Sequence, residues 1–273
     1  MRINRALMSL CAVLAVFGCG GGGGNDGDGP IQVYATTSNR HLLRFNLGSN
    51  VVDMDVAMTG LSQSQPISGL DFRASNGLLY LLEASGQLYT VNTTTGAATP
   101  VGEGNGNIPI NACGFSFNDV TDRARWVLNN DFNIRLNPDT GEFIDGDILT
   151  DGIQPDTDIH PTSSIAAIAY TPPTNNLTTL YAVDLDDDML VRIGGVGGSP
   201  SPTAGLRTDI GPLGVDVSGI ISLDFAKDGT AVFTDNPDAT SNNVYTINLS
   251  TGAATFVGDV ITDLRIGQIA VKG

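Results

Sequence analysis

From Ile31 onward the chain alternates short apolar runs with turns built of Gly, Asn, Asp, Thr and Pro, and no stretch holds a 3.6-residue period for a useful length. In Asn243–Asp259, NVYTINLSTGAATFVGD, the residues Tyr245, Ile247 and Leu249 share one parity and Thr246 and Asn248 the other. Period two with aromatic and β-branched side chains predicts a strand. Nearly the same stretch recurs at Gln87–Glu103, QLYTVNTTTGAATPVGE, and a more divergent copy at Asn133–Asp145, NIRLNPDTGEFID. Each strand is followed by Asn-x-x-Thr-Gly: Asn248 to Gly252, Asn92 to Gly96, Asn137 to Gly141. Asn and Thr hydrogen-bond the local backbone and Gly accepts positive φ, so each copy predicts a β-hairpin closed by a left-handed glycine.

A second apolar motif recurs upstream of the hairpins. Its copies are Ile67–Phe72, Ala112–Phe117, Ile165–Tyr170, Ile220–Phe225 and Ile266–Ile269, whose last residues lie 45, 53, 55 and 44 positions apart. A polar turn and another strand follow the first four copies, at Leu78–Leu82, Ala124–Leu128, Thr179–Val183 and Thr230–Thr234. In the fourth unit Asp184–Asp188 stands in place of the Thr-Gly turn. Four short strands at this spacing predict the blades of an all-β, five-bladed β-propeller over residues 31–273. The last unit contains one strand, Leu264–Val271, and the first begins at a second-strand position with Val33–Thr36, Leu42–Phe45 and Val52–Met58. The C-terminal strand is therefore expected to complete the N-terminal blade, which protects both edges. The competing architectures are a β-sandwich and a six-bladed ring that uses Gly194–Val217. The Gly, Pro and Ser content of that stretch reads as a loop.

The first thirty residues read differently. Arg2 and Arg5 precede an apolar run, Ala6–Phe17, that is too short to span a bilayer and reads as a secretory signal over residues 1–18. The ending Val16-Phe17-Gly18-Cys19 resembles a bacterial lipobox, which implies lipidation of Cys19 and anchoring by acyl chains. Gly20 after that cysteine implies sorting to the outer membrane. After Cys19, residues 20–30 continue as GGGGGNDGDGP, with no apolar run to bury, so 19–30 reads as the lipidated cysteine and a flexible tether. The chain carries 29 acidic and 13 basic residues, a formal net charge of −16, which disfavours nucleic acid and anionic membrane surfaces. The body keeps one cysteine, Cys113, which reads as an inert packed thiol.

Several stretches together resemble the uncharacterised bacterial family called domain of unknown function 4394. They are Gly69-Leu-Asp-Phe-Arg73, Gly77-Leu-Leu-Tyr80, Gly86-Gln-Leu-Tyr89, Thr95-Gly-Ala-Ala-Thr99, Phe115-x-Phe-Asn118, Asp122-Arg-x-Arg125, Asn133-x-Arg-Leu-Asn-Pro138 and Thr246-Ile-Asn-Leu249. The resemblance implies a repeated β-fold in exported proteins and no particular activity.

Candidate chemistry is sparse. Arg123, Arg125 and Arg135 fall close together in an acidic chain, with Arg125 aligned to Leu79 and Leu180 and Arg135 to Thr90 and Thr246. They read either as an anion site or as an internal network with Asp119, Asp122, Asp131 and Asp71; the abundance of nearby acids favours the network. Asp71 and Asp224 occupy equivalent first-strand positions near the expected axis, where the other units carry Ser116, Ala169 and Gln268. Some five-bladed glycoside hydrolases use axial carboxylates as acid and nucleophile or base. Asp184, Asp186, Asp187 and Asp188 put four carboxylates on one loop, and Ca²⁺ is the cation such oxygen ligands would take. An exposed turn is the plainer reading, because the EF-hand spacing is missing. With only His41 and His160, neither a histidine metal site nor a Ser–His–Asp triad has support.

Together these features point to an envelope-anchored, non-catalytic binding or interaction module for an unidentified protein or glycan, tethered to the membrane through Cys19. A carbohydrate-active hydrolase using Asp71 and Asp224 is the alternative, and a surface or matrix structural protein a third. The scarcity of catalytic side chains favours the first.

Overall fold

A computed structural model describes residues 29–62, 64–105, 113–128, 130–162, 164–238, 241–260 and 262–272. The leader expected at 1–18, the lipidation expected at Cys19, most of the tether and the side chain of Cys113 lie outside the described residues.

Among the described residues twenty strands form five four-stranded antiparallel sheets. Blade 1 opens with β1 (Gln32–Thr37), β2 (His41–Asn46) and β3 (Val52–Ala57). Blade 2 contains β4 (Ile67–Arg73), β5 (Leu78–Glu83), β6 (Leu88–Val91) and β7 (Ala98–Val101). Blade 3 contains β8 (Cys113–Asn118), β9 (Arg123–Leu128), β10 (Asn133–Leu136) and β11 (Phe143–Ile144). Blade 4 contains β12 (Ile165–Tyr170), β13 (Leu180–Asp184), β14 (Met189–Ile193) and β15 (Arg207–Pro212). Blade 5 contains β16 (Ile220–Phe225), β17 (Ala231–Asn236), β18 (Asn243–Ile247) and β19 (Ala254–Asp259). The chain then returns as β20 (Ile266–Lys272), which pairs with β1 through Gln32↔Lys272, Val33↔Val271 and Tyr34↔Ala270. The protein is thus a five-bladed β-propeller whose last strand is the innermost strand of blade 1.

The apolar positions bury between blades. Five clusters form, one at each blade–blade boundary. Leu42 and Tyr34 meet Leu70 and Leu81 between blades 1 and 2, and Tyr80 and Leu82 meet Phe115 and Trp126 between blades 2 and 3. Val127 meets Ile168 and Leu180 between blades 3 and 4, and Val183 and Leu190 meet Leu223 and Phe233 between blades 4 and 5. Val232 and Val244 meet Val33, Phe45 and Ile269 where the ring closes. An inner strand is covered on both faces, which is why these runs are nearly continuous apolar sequence rather than alternating.

The Thr-Gly hairpins have a role beyond their own turns. Gly96, Gly141 and Gly252 all adopt positive φ, and each peptide N–H donates to the carbonyl of the Asn four residues earlier. A Cβ on Gly96 would overlap the carbonyl of Ala57, one on Gly141 that of Val101, and one on Gly252 that of Gly211. Each turn therefore seats against the outer strand of the preceding blade, and only glycine satisfies both the dihedral and the approach. Ala98 and Ala254 then donate their N–H groups to Thr59 and Leu213 of those preceding blades.

Two details of the fourth unit differ from expectation. Asp184–Asp188 joins β13 to β14, whereas the place of the Thr-Gly turn is filled by Gly194–Leu206, which carries two short 3-10 turns at Val196–Gly198 and Pro202–Ala204. Arg207–Pro212, expected to be loop, is the outer strand β15, paired to β14 through Arg192↔Thr208 and Val191↔Asp209. An outermost strand needs only its backbone ladder and presents most side chains to solvent, so it lacks the apolar run that marks an inner one. That strand completes blade 4 and leaves no sixth blade among the described residues.

Replacing Gly252 by Ala should destabilise the protein by at least about 2 kcal/mol, from the left-handed dihedral plus the overlap with Gly211. Gly229→Ala is the control, since Gly229 also has positive φ but open space around its Cβ position; it should lose only about 1 kcal/mol. Urea unfolding of the two variants checks the difference, and equal losses would contradict the docking role.

Candidate functional site

The five inner strands β4, β8, β12, β16 and β20 stand around the ring axis. Their neighbouring edges carry peptide N–H groups that no strand ladder satisfies. Side chains answer this need. The Asp71 Oδ2 accepts from Phe117 N at 2.7 Å, the Ser116 Oγ from Tyr170 N at 3.1 Å, and the Asp224 Oδ2 from Val271 N at 2.6 Å. The Ser222 Oγ adds a bond from Ile269 N at 3.0 Å. Each bond reaches from one blade to the next inner strand around the ring.

These contacts set the equivalences among blades. Asp71, Ser116, Ala169, Asp224 and Ala270 share one level, so Ala270 and not Gln268 is the counterpart in blade 1. The next level is Phe72, Phe117, Tyr170, Phe225 and Val271. Arg125 pairs with Ser116 just as Tyr80 pairs with Asp71 and Tyr181 with Ala169. It therefore aligns with Tyr80 and Tyr181, one position away from Leu79 and Leu180. Arg135 aligns with Thr90 and Thr246 as expected. The spacing of apolar residues does not distinguish these registers; the cross-strand bonds do.

Asp71 and Asp224 meet in one axial cavity of about 380 Å³, open at the end where the inner strands finish. Both are buried, each with 7 % exposure. Tyr170, Pro172 and Pro173 wall one side, and Lys227, Lys272 and Asp119 stand at the mouth. Burial, then the charge of Asp224, raises the Asp71 carboxyl well above the usual aspartate range, against the opposing bond from Phe117 N. Burial raises Asp224 to about 7, while the N–H groups of Val271 and Phe225 act the other way and Asp119 adds repulsion. Asp119, on the exposed rim, is itself raised by desolvation and then by Asp122. Two carboxyls in a low-dielectric floor resist ionising together.

Sequence reading placed Asp71 and Asp224 here but missed the lysines. Lys227 lies two residues beyond Phe225, the aromatic end of β16, and Lys272 directly follows Val271, the residue of β20 at the same level. They are the only lysines in the chain. Aligning the strand ends rather than the apolar runs exposes this signal.

The arginines lie elsewhere, between blades 3 and 4. Arg125 is buried, donates Nε to the Tyr170 hydroxyl at 2.8 Å and Nη1 to Asp156 Oδ2 at 3.0 Å, and also bonds Asn133 Oδ1. Arg135 grips the same Asp156 through Nε and Nη2, each at 2.8 Å. Arg125 and Arg135 do form an internal network, and the acid it is built on is Asp156, not Asp119, Asp122 or Asp71. Asp122 belongs to Arg73, at 2.6 Å, and Arg73 also holds Asp139 at 2.5 Å. Arg123 makes no ion pair among the described residues; its Nη1 donates to the carbonyl of Asp122 at 2.8 Å.

The acidic loop is also partly engaged. Asp184 is fully buried and pairs with Arg207 at 2.6 Å, Asp187 meets the same guanidinium at 3.3 Å, and Asp188 Oδ1 accepts from Val217 N at 3.0 Å. The Asp186 peptide N–H donates to Asp184 Oδ1 at 3.0 Å. Among the described residues no group of three or more His, Cys, Asp or Glu is disposed to hold a metal ion.

The raised Asp224 carboxyl yields a signed expectation. An acid with a raised folded pKa holds its proton more tightly folded than unfolded. Its stabilising contribution is therefore full below about pH 4, declines as pH rises, and is lost above about 7. Asp224→Asn keeps an oxygen for Val271 N but cannot ionise. It should fall in stability between pH 4 and 7 less steeply than the parent, by up to about 1 kcal/mol per pH unit, and exceed it at pH 8. Chemical denaturation across pH reads this directly; parallel curves would show that Asp224 titrates normally.

No helix among the described residues is long and apolar enough to cross a membrane. No curated protein matches the chain. Among solved structures, a structural-genomics protein of unknown function from Bacteroides thetaiotaomicron VPI-5482 aligns with TM-score 0.52 at 11 % identity, covering 92 % of this chain and 67 % of its own. The Dos1 propeller aligns with TM-score 0.41 at 13 % identity, covering 83 % and 62 %. The chain spans roughly two thirds of each. The first likeness concerns fold alone. The family described as domain of unknown function (DUF4394) matches residues 41–270, most of the chain, and this protein is a member of that family.

Proposed function

We propose that the protein is a non-catalytic binding module, held at the cell envelope through a lipid on Cys19, that takes a small polyhydroxylated ligand such as a saccharide into the axial cavity. One observation carries this reading: the buried carboxyls form the floor of a cavity walled by an aromatic ring and prolines. Carboxyls accept from sugar hydroxyls, and Tyr170, Pro172 and Pro173 offer the apolar surface against which a sugar ring packs. The only two lysines stand at the mouth, in a chain otherwise strongly negative. They suit a ligand with negative charge at its outer end. A cavity of about 380 Å³ admits one or two sugar units.

The hydrolase reading draws on the raised carboxyls, which a general acid needs. Against it stands the geometry of Asp224. Both its oxygens accept peptide N–H bonds, from Val271 at 2.6 Å and Phe225 at 2.8 Å. A carboxylate fixed in this way serves as a strut between blades, and Asp71 has the same task toward Phe117. Fold similarity carries no function by itself.

Calorimetric titration with neutral and acidic mono- and oligosaccharides, paired with chromatography of the same mixtures, tests both readings. Saturable binding with no cleavage is expected, and a Lys227→Ala/Lys272→Ala variant should bind an acidic sugar about tenfold more weakly. Cleavage abolished by Asp224→Asn would establish the hydrolase instead, and absence of any saccharide binding would overturn the proposed ligand class.

A further inference from the structure

The boundary between blades 3 and 4 holds a second cavity, of about 230 Å³, on the other side of Tyr170 from the axial one. Arg123, Arg125 and Arg135 all contribute to its lining. Arg125 and Arg135 are direct cross-strand partners on β9 and β10. Like charges so placed repel unless an anion lies between them. Asp156 supplies one such charge from beneath, with its side chain only 1 % exposed. One carboxylate thus serves two guanidinium groups, and Arg123 adds a third cation that makes no ion pair among the described residues, although its charge reaches Asp122. Asp122, next to it in sequence, is already gripped at two points by Arg73, at 2.7 and 2.6 Å.

The donors are not exhausted either. Among the described residues, Arg125 Nη2, Arg135 Nη1 and the Nε and Nη2 of Arg123 have no hydrogen-bond acceptor, whereas the other nitrogens of these forks are engaged as described above. The hydroxyl-bearing side chains of Thr121, Thr178 and Thr203 complete the rim. A surplus of positive charge and unused planar donors in a concave site is the chemistry that recognises an oxoanion. This surplus persists in a chain of net charge −16.

We propose that this cleft binds an oxoanion group, a carboxylate, sulfate or phosphate, carried by a small ligand or by the end of a larger one. The charge of Asp156 holds Arg125 and Arg135 in place, and Arg123 closes on the ligand from the open side. The volume suits the anionic group and a few attached atoms rather than a whole cofactor. The site is separate from the axial cavity, and the two share only the ring of Tyr170 as a wall.

Arg123 is the residue to change, because it takes no part in the Asp156 network. Thermal unfolding of the full-length protein is followed with sodium sulfate, sodium phosphate and sodium galacturonate, each against sodium chloride at equal ionic strength. At least one should raise Tm saturably above chloride, and Arg123→Gln should raise the apparent Kd about tenfold or more while leaving the ligand-free Tm unchanged. Which salt acts most strongly identifies the oxoanion. A response equal to chloride for all three, or an Arg123→Gln variant that responds as the parent does, overturns the proposal. The Lys227→Ala/Lys272→Ala variant should keep the response; if it loses it, the anion sits at the axial mouth and the cleft proposal fails, whatever becomes of the saccharide reading.

Discussion

Pairing of the last strand with the first is the contact on which everything else in this molecule rests. A row of blades would expose an inner and an outer face at its two ends, each with apolar side chains and a free strand edge. Setting Ile266–Lys272 beside Gln32–Thr37 removes both ends at once. It also supplies Val271, whose N–H gives Asp224 its acceptor role, and Lys272, which stands at the mouth of the axial cavity. Without that strand the apolar cluster built from Val33, Phe45, Val232 and Ile269 would face water. The candidate site and the stability of the ring therefore depend on the same few residues.

Closure creates a second problem, and the polar side chains near the axis solve it. Inner strands of neighbouring blades approach too obliquely to form a ladder, so their peptide N–H groups need other partners. Asp71, Ser116, Ser222 and Asp224 provide them. Burying carboxyls at this depth is unfavourable for the ionised form, and their titration is displaced upward as a result. The bland explanation for two axial aspartates, that they tie blades together, is thus visible in their bonds. The same placement gives the cavity a floor of hydrogen-bonding carboxyls. Structural and binding roles coincide because both require a polar group at the ring's centre.

Charge is distributed by blade boundary. Arg73 joins blade 2 to the turns of blade 3 through Asp122 and Asp139. Arg40 of blade 1 meets Glu83 of blade 2 at 3.2 Å. Arg207 gathers Asp184, Asp187 and Asp209 within blade 4. Among the described residues most guanidinium groups find a carboxylate; Arg123, like Arg192 and Arg265, makes no ion pair, and of these three only Arg123 lines the cleft between blades 3 and 4.

Local chemistry dictated much of this. Period-two runs, Asn-x-x-Thr-Gly turns and a strand motif recurring every 44–55 residues are written in the chain, and they specify hairpins, blade number and closure, because side-chain alternation and glycine dihedrals act within a few residues. The outer strand Arg207–Pro212 escaped notice because an edge strand is held by its backbone ladder, which leaves no apolar signature. Asp71 and Asp224 were legible as equivalent positions near an axis. What the tertiary structure alone decided was pairing: that Asp156, far from the arginines in the chain, is their shared partner, that Ala270 and not Gln268 completes the axial ring, and that both lysines meet at one mouth. Contacts across blade boundaries depend on how much each blade twists and where it docks, and those quantities emerge only once the ring has closed.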